Sequence, residues 1–252
     1  MTVADRIISL DRVTKSFGKA GSKAGYVAVD NLDLGVERGQ LLALLGKTGC
    51  GKSTIFNMIA GLTEPTSGTV RVDGRNPFRE FDSFRGKIAI VFQGDRLLPW
   101  RTAVQNVELG LEMLDMPAGP RGNTALRWLD TLGLRGHEQD YPHALSGGMR
   151  QRVSIARAFA TDADILLCDE PFSALDEMTA RALRAEFVKL VRDNGKTAVF
   201  ITHSINEALE IGDRLVVLKR PATIAIDIPV AAATPATERE AIRCRIQDVL
   251  AA

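Results

Sequence analysis

"GKTGCGKST", Gly46 to Thr54, decides the fold. It follows "LLALL", Leu41 to Leu45, a short unbroken apolar run that reads as a buried parallel strand. It leads into "STIFNMIAGL", which reads as a helix ending near Gly61. In that strand–loop–helix setting, Gly46, Lys47, Thr48, Gly49, Cys50, Gly51, Lys52 and Ser53 fit the phosphate-loop pattern. Glycines let the backbone wrap a phosphate so that its amides form a fixed anion nest. Lys52 then reaches the β- and γ-phosphates, and the Ser53 hydroxyl, beside Thr54, is a Mg²⁺ ligand. Lys47 and Cys50 read as passive places in the loop.

Working outward, "RIISLDRVTKSF", "YVAVDNLDLGV" and "TVRVDG" read as strands, the second by its alternation of apolar and polar residues. "KIAIVFQ", Lys87 to Gln93, is another buried strand. From there the pattern turns helical, through "RTAVQNVELGLEMLDM", "TALRWLDTLGL" and "ALSGGMRQRVSIARAFA", with "PAGPRGN", Pro117 to Asn123, read as a loop between two helices. Strands return at "DILLCDE", "TAVFIT", "RLVVLKR" and "ATIAIDIPV", interleaved with helices, and "ATEREAIRCRIQDVL" is a last helix. Alternation of this kind implies an α/β fold with a mostly parallel sheet covered on both faces. The helical stretch 94–159 is expected to be an inserted subdomain, with 1–93 and 160–252 forming the core.

Other strand ends carry chemistry. "ILLCDE" is apolar until Asp169 and Glu170, where open α/β sheets bind ligands. Asp169 is placed to hold Mg²⁺ through water and Glu170 to polarise an attacking water. Gln93 ends "IAIVF" and can touch the metal or the water; His203 ends "AVFIT" and can hydrogen-bond a γ-phosphate. His137 and His143 have no such position and read as structural. In "ALSGGMRQRVSIARAF", Ser146 reads as an N-cap and Gly147 and Gly148 leave helix-start amides uncovered, a second anion-ready site.

Composition sets outer bounds. The chain has 252 residues, 45% apolar and 25% charged, with net charge +1, so nothing draws its whole surface to nucleic acid or acidic lipid. No apolar run approaches the roughly 18 residues of a spanning helix. The first residues do not read as a signal peptide. Cys50, Cys168 and Cys244 are odd in number and widely spaced, which fits reduced thiols rather than disulfides or zinc.

Together these stretches resemble the ATP-binding-cassette (ABC) transporter ATPase subunits along nearly the whole chain. The resemblance rests on "GKTGCGKST" as phosphate loop, Gln93 as Q-loop glutamine and "LSGGMRQR" as signature. It rests also on "ILLCDEP" as Walker B strand, "SALD" (Ser173 to Asp176) as D-loop and His203 as switch histidine. It implies a P-loop NTPase core of RecA-like type, an antiparallel β subdomain and an inserted α-helical subdomain. ATP and Mg²⁺ are the implied cofactors. Phe17 sits where the family stacks an aromatic on adenine, with Tyr26 the weaker candidate. In the family two such chains pack head to tail. Each ATP then lies between one phosphate loop and the partner's signature, here Ser146, Gly147 and Gly148, with Asp176 along the seam.

"LLPW" followed by "AVQNVELGLE", and "FSALDEMT", resemble the nitrate/sulfonate/taurine group of importer ATPases. That implies transmembrane permease subunits, an indirect solute-binding protein and a peripheral place on the cytoplasmic side of the inner membrane. No nucleic-acid partner is expected. The alternative is a soluble, non-transport ABC ATPase acting on a protein complex or nucleic acid; the coiled-coil insertions, zinc motifs or second cassette usual there are absent. Leu97, Leu98, Pro99 and Trp100 read equally as subdomain core or as part of a docking groove for the permease. The tail after Pro221 reads as too short for an added regulatory domain.

Overall fold

The computed structural model describes residues 6–18, 25–230 and 236–251. In chain order the strands and helices are β1 (Arg6–Phe17), β2 (Tyr26–Glu37), β3 (Leu41–Gly46), α1 (Lys52–Ile59), β4 (Ser67–Val72), β5 (Ile88–Val91), α2 (Ala103–Glu112) and α3 (Ala118–Thr131). They continue with α4 (Gly147–Ala160), β6 (Ile165–Asp169), α5 (Glu177–Asp193), β7 (Thr197–Thr202), α6 (Ile205–Ile211), β8 (Arg214–Lys219), β9 (Thr223–Pro229) and α7 (Ala236–Ala251). They fall into two compact units, residues 1–84 with 195–252, and residues 85–194.

In the first unit, β1 pairs antiparallel with both β2 and β4, giving the order β2-β1-β4. Ile7, Ile8, Leu10 and Val13 are the buried residues of β1, and the register shifts between Leu10 and Val13, where Arg12 takes a positive φ of 48°. The all-apolar β3 lies parallel between β7 and β8, with Leu44 opposite Ile201 on one side and Val216 on the other. Every residue of β3 and β7 is buried, which is why β3 reads as an unbroken apolar run rather than an alternating one. β9 closes this group antiparallel to β8. Below β3 and β8, Ala43, Leu45, Leu215 and Val217 pack with Ala208 of α6 and Ile246 of α7.

The second unit holds β5 and β6, paired in parallel, and helices α2 to α5. Its core is mainly aliphatic around an aromatic cluster, in which Phe187 meets Phe159 and Phe172 edge-on at centroid distances of 6.0 and 5.9 Å. The helical segment expected over 94–159 lies wholly inside this unit, which also takes in β5, β6 and α5. Most of the expected Pro117–Asn123 loop is the first half of α3. Pro117 stands at the N-cap position and Pro120 in the first turn, where the missing N–H has no helical acceptor to lose. Burial of Ala125 and Leu129 then holds the helix despite its glycines.

Candidate functional site

The phosphate loop joins β3 to α1 as its sequence implies. Gly49 and Gly51 have φ values of +78° and +114°. Gly51 is fixed twice over, since a Cβ there would lie 2.4 Å from the Ala28 carbonyl oxygen. Lys52, 6% exposed, donates through Nζ to the carbonyls of Gly46 (2.6 Å) and Lys47 (3.2 Å), so its ammonium is folded back under the loop. Lys47, Thr48, Gly49 and Ser53 are exposed along the rim, and Thr54 is half-buried. Cys50 is buried, its Sγ close beside Gly46.

Phe17 and Tyr26, weighed as alternatives from sequence, are cross-strand partners and stack on one another, centroids 5.6 Å apart. Lys15 Nζ sits 5.1 Å from the Phe17 ring centre. His203 is exposed directly after β7. Its neighbours are pinned: the Thr202 hydroxyl donates to Glu207 (2.6 Å) and accepts from the Ser204 amide (2.9 Å), while Ser204 caps α6. The histidine is thus carried on a short, braced corner of the first unit.

In the second unit, Gln93 is exposed just past β5, while Asp169 ends β6 and Glu170 follows it, both half-buried. Glu170 has a positive φ of 46°. This is a conformation that costs a non-glycine residue about 1–3 kcal/mol and gathers at functional sites. The Ser173 amide and hydroxyl both donate to the Glu170 carbonyl, at 3.2 and 2.9 Å, and hold the turn. Cys168, behind the two acids, has its thiol pushed far up by burial and by the Asp169 charge.

Ser146 does cap α4, its hydroxyl accepting from the Met149 amide at 3.3 Å. The fold brings this helix start against Leu175 and the first turn of α5: a Cβ on Gly148 would lie 3.0 Å from Thr179, and one on Gly147 would lie 3.9 Å from Leu175. Asp176 caps α5, and the Thr179 amide hydrogen bond lowers its carboxyl pKa. His137 pairs with Asp140 at 2.7 Å and His143 stacks on Tyr141, both local roles.

Among the described residues no group of three or more His, Cys, Asp or Glu gathers to hold a metal. The expected ligands Ser53, Gln93 and Asp169 are hard oxygen donors with one carboxylate among them. That set fits Mg²⁺, which takes most of its shell from phosphate and water, and does not fit a metal caged by protein alone.

Two features escaped the sequence. Asn106, read as one residue of an ordinary helix, is fully buried in α2 and grips the 98–102 backbone through its amide. A polar residue among Ala103, Val104 and Val107 is the signal that marks it. Arg150 and Arg157, which lie between the apolar positions of α4, bond to residues 95 and 96 beyond Gln93. Of the alternatives for 97–100, Trp100 is 70% exposed and is not core, while Leu97 and Leu98 are half-buried.

The sequence profile of a family described as ABC transporter matches residues 29–173. A taurine import ATP-binding protein of Yersinia pestis is 43% identical over 194 residues, 77% of this chain and 74% of that one. A glycine betaine transport ATP-binding protein of Bacillus subtilis is 39% identical over 247 residues, covering 88% of this chain and 59% of its own length. Among solved structures, a dimeric ATP-binding cassette in a post-hydrolysis state bound to ADP and Pi matches with a TM-score of 0.78 and 34% identity. The match covers 89% of this chain and 99% of that one.

Proposed function

The chain belongs to the ABC transporter family as an ATP-binding, ATP-hydrolysing, energy-coupling subunit, and we propose that it powers import of a small anion or organic solute as a head-to-tail pair. The observation that carries the pairing is the second anion-ready helix start, Ser146–Gly148, which one chain has no second phosphate loop to use. A two-fold partner supplies it, and each chain contributes to both sites. The dimeric state of the solved relative supports the same reading.

In this reading, Gly46–Thr54 wraps the phosphates, with Lys52 moving from its own loop carbonyls to the β- and γ-phosphates. The stacked Phe17 and Tyr26 offer the adenine a ready aromatic face. Ser53, Gln93 and Asp169 would hold Mg²⁺, which would supply neutralisation of phosphate charge. Glu170 takes the proton of the attacking water, and His203 donates to the γ-phosphate. Ser146, Gly147 and Gly148 close the site from the partner, and Asp176 lies on the seam. Loss of the γ-phosphate removes the charge that both chains grip, so turnover loosens the pair.

Among the described residues no helix is long and apolar enough to cross a membrane. From the import role named for its relatives, the proposed location is peripheral, on the cytoplasmic face, bound to separate permease subunits and through them to a solute-binding protein. The names of the relatives support import of small solutes, and taurine and glycine betaine differ enough that the ATPase itself does not choose between them. The test has two parts. Glu170→Gln with Mg-ATP gives a stable dimer in light scattering; a monomer overturns the pairing. A tagged chain recovers a multi-span permease from native membranes; recovery of soluble partners alone overturns the transport role.

A further inference from the structure

The Gln93 loop and the start of α4 are joined by one guanidinium. Arg150 Nε donates to Asp95 Oδ2 at 2.9 Å, and its Nη1 donates to the Leu145 carbonyl at 2.7 Å. Asp95 stands two residues after Gln93, and Leu145 one residue before the Ser146 cap. Both ends of the bridge therefore abut the groups that the proposed mechanism uses.

A second arginine supports the first from one side. Arg157, two turns further along α4, donates to the Arg96 carbonyl at 2.9 Å and the Asp95 carbonyl at 2.8 Å. The loop has little freedom left between them. Asp95 Oδ1 also accepts from the Leu97 amide at 3.2 Å, and Arg96 holds a positive φ of 49° with its guanidinium 5.4 Å from the Phe92 ring centre. Arg157 is half-buried, and burial lowers its pKa while the Asp95 charge opposes that shift. A guanidinium in that setting is tolerated because carbonyls and a carboxylate face it. All of these residues lie in the 85–194 unit.

We infer that Arg150 is a positioning residue that ties the Gln93 loop, through Asp95, to the Ser146 end of α4, so that the two move as one piece. This deepens the proposed function and rests on it, because it assigns the bridge a task in the ATP-closed pair. A shift of Gln93 on metal or water is passed to the helix start that meets the partner's nucleotide, and the reverse. The fork of arginine is needed, since a lysine has one ammonium for two acceptors set apart in direction.

The experiment uses the full chain carrying Glu170→Gln, with Asp95→Asn, Arg150→Gln, Arg150→Lys and the Asp95→Asn/Arg150→Gln pair. Two readouts are taken: ATP affinity of the isolated chain, and the Mg-ATP concentration that drives dimerisation. The expected result is unchanged ATP affinity, with dimerisation needing about tenfold more Mg-ATP in Asp95→Asn and Arg150→Gln, the worth of one charge-assisted hydrogen bond. The double variant loses no more than the worse single one, as members of one unit do. Arg150→Lys recovers only part. A general loss of folding lowers ATP affinity as well and counts against the inference, as do additive losses or dimerisation at the parent concentration. If the parent itself fails to dimerise, the head-to-tail reading falls first. The bridge is then read in wild-type turnover, where kcat falling in both variants without a rise in KM supports it and unchanged kcat overturns it.

Discussion

Asn106→Ala tests how the segment after the Gln93 loop is held. The Asn106 Oδ1 accepts the Leu98 amide at 2.7 Å. Its Nδ2 lies within bonding distance of the carbonyls of Leu98 (3.2 Å), Arg101 (3.0 Å) and Thr102 (3.0 Å). Two of those carbonyls keep another donor, because the Arg101 amide reaches Leu98 and the Asn106 amide reaches Thr102. The substitution therefore orphans chiefly the Leu98 N–H and the Arg101 C=O. At about 1–3 kcal/mol for each unsatisfied group, and with water able to reach a half-buried loop, the loss is about 2–4 kcal/mol. The chain's two tryptophans, Trp100 and Trp128, both lie in the second unit, so their fluorescence in urea reports that unit's unfolding. With an m-value of about 2 kcal/mol/M, the midpoint falls by about 1–2 M. Asn106→Leu keeps the volume without the bonds and is expected to lose a similar amount. A midpoint for Asn106→Leu near that of the wild type would refute the argument, because packing rather than hydrogen bonding would then hold the segment.

Lys52→Ala abolishes ATP turnover, since the buried ammonium under the loop is the charge meant for the phosphates; wild-type turnover in that variant removes the assignment. Trp100→Ala, at a residue 70% exposed, changes stability by no more than about 0.5 kcal/mol. It lowers recovery of membrane partners in a pull-down, and an equal loss of nucleotide binding would refute a docking role. A thiol reagent on the native chain modifies exposed Cys244 and spares Cys168, whose buried thiol is held protonated; peptide mapping that finds Cys168 modified before unfolding contradicts that environment.

Much of the site was legible because its parts are local. The phosphate loop announces itself through glycines whose positive φ values no other residue takes without strain, next to a strand whose burial on both faces removes any alternation. Ser146 as a cap needs only its own helix, and the Asp169–Glu170 strand end needs only the switch from apolar to acidic. The Pro117–Asn123 stretch misled for the opposite reason. Proline and glycine speak for a loop in isolation, and only the burial of Ala125 and Leu129 carries the helix back to Ala118.

The sequence by itself determined the class of fold and the chemical inventory, since backbone freedom, strand burial and helix capping are written within a few neighbouring residues. The tertiary structure alone decided how that inventory is braced. Asp95 meets Arg150 across 55 residues of chain and Arg157 across 62, and no periodicity encodes such a partner. Asn106 likewise reaches the Leu98 amide and carbonyl only because α2 folds back on the loop before it. Charges and polar groups choose partners only once packing has set their distances, and in this protein those choices position the loop beside Gln93.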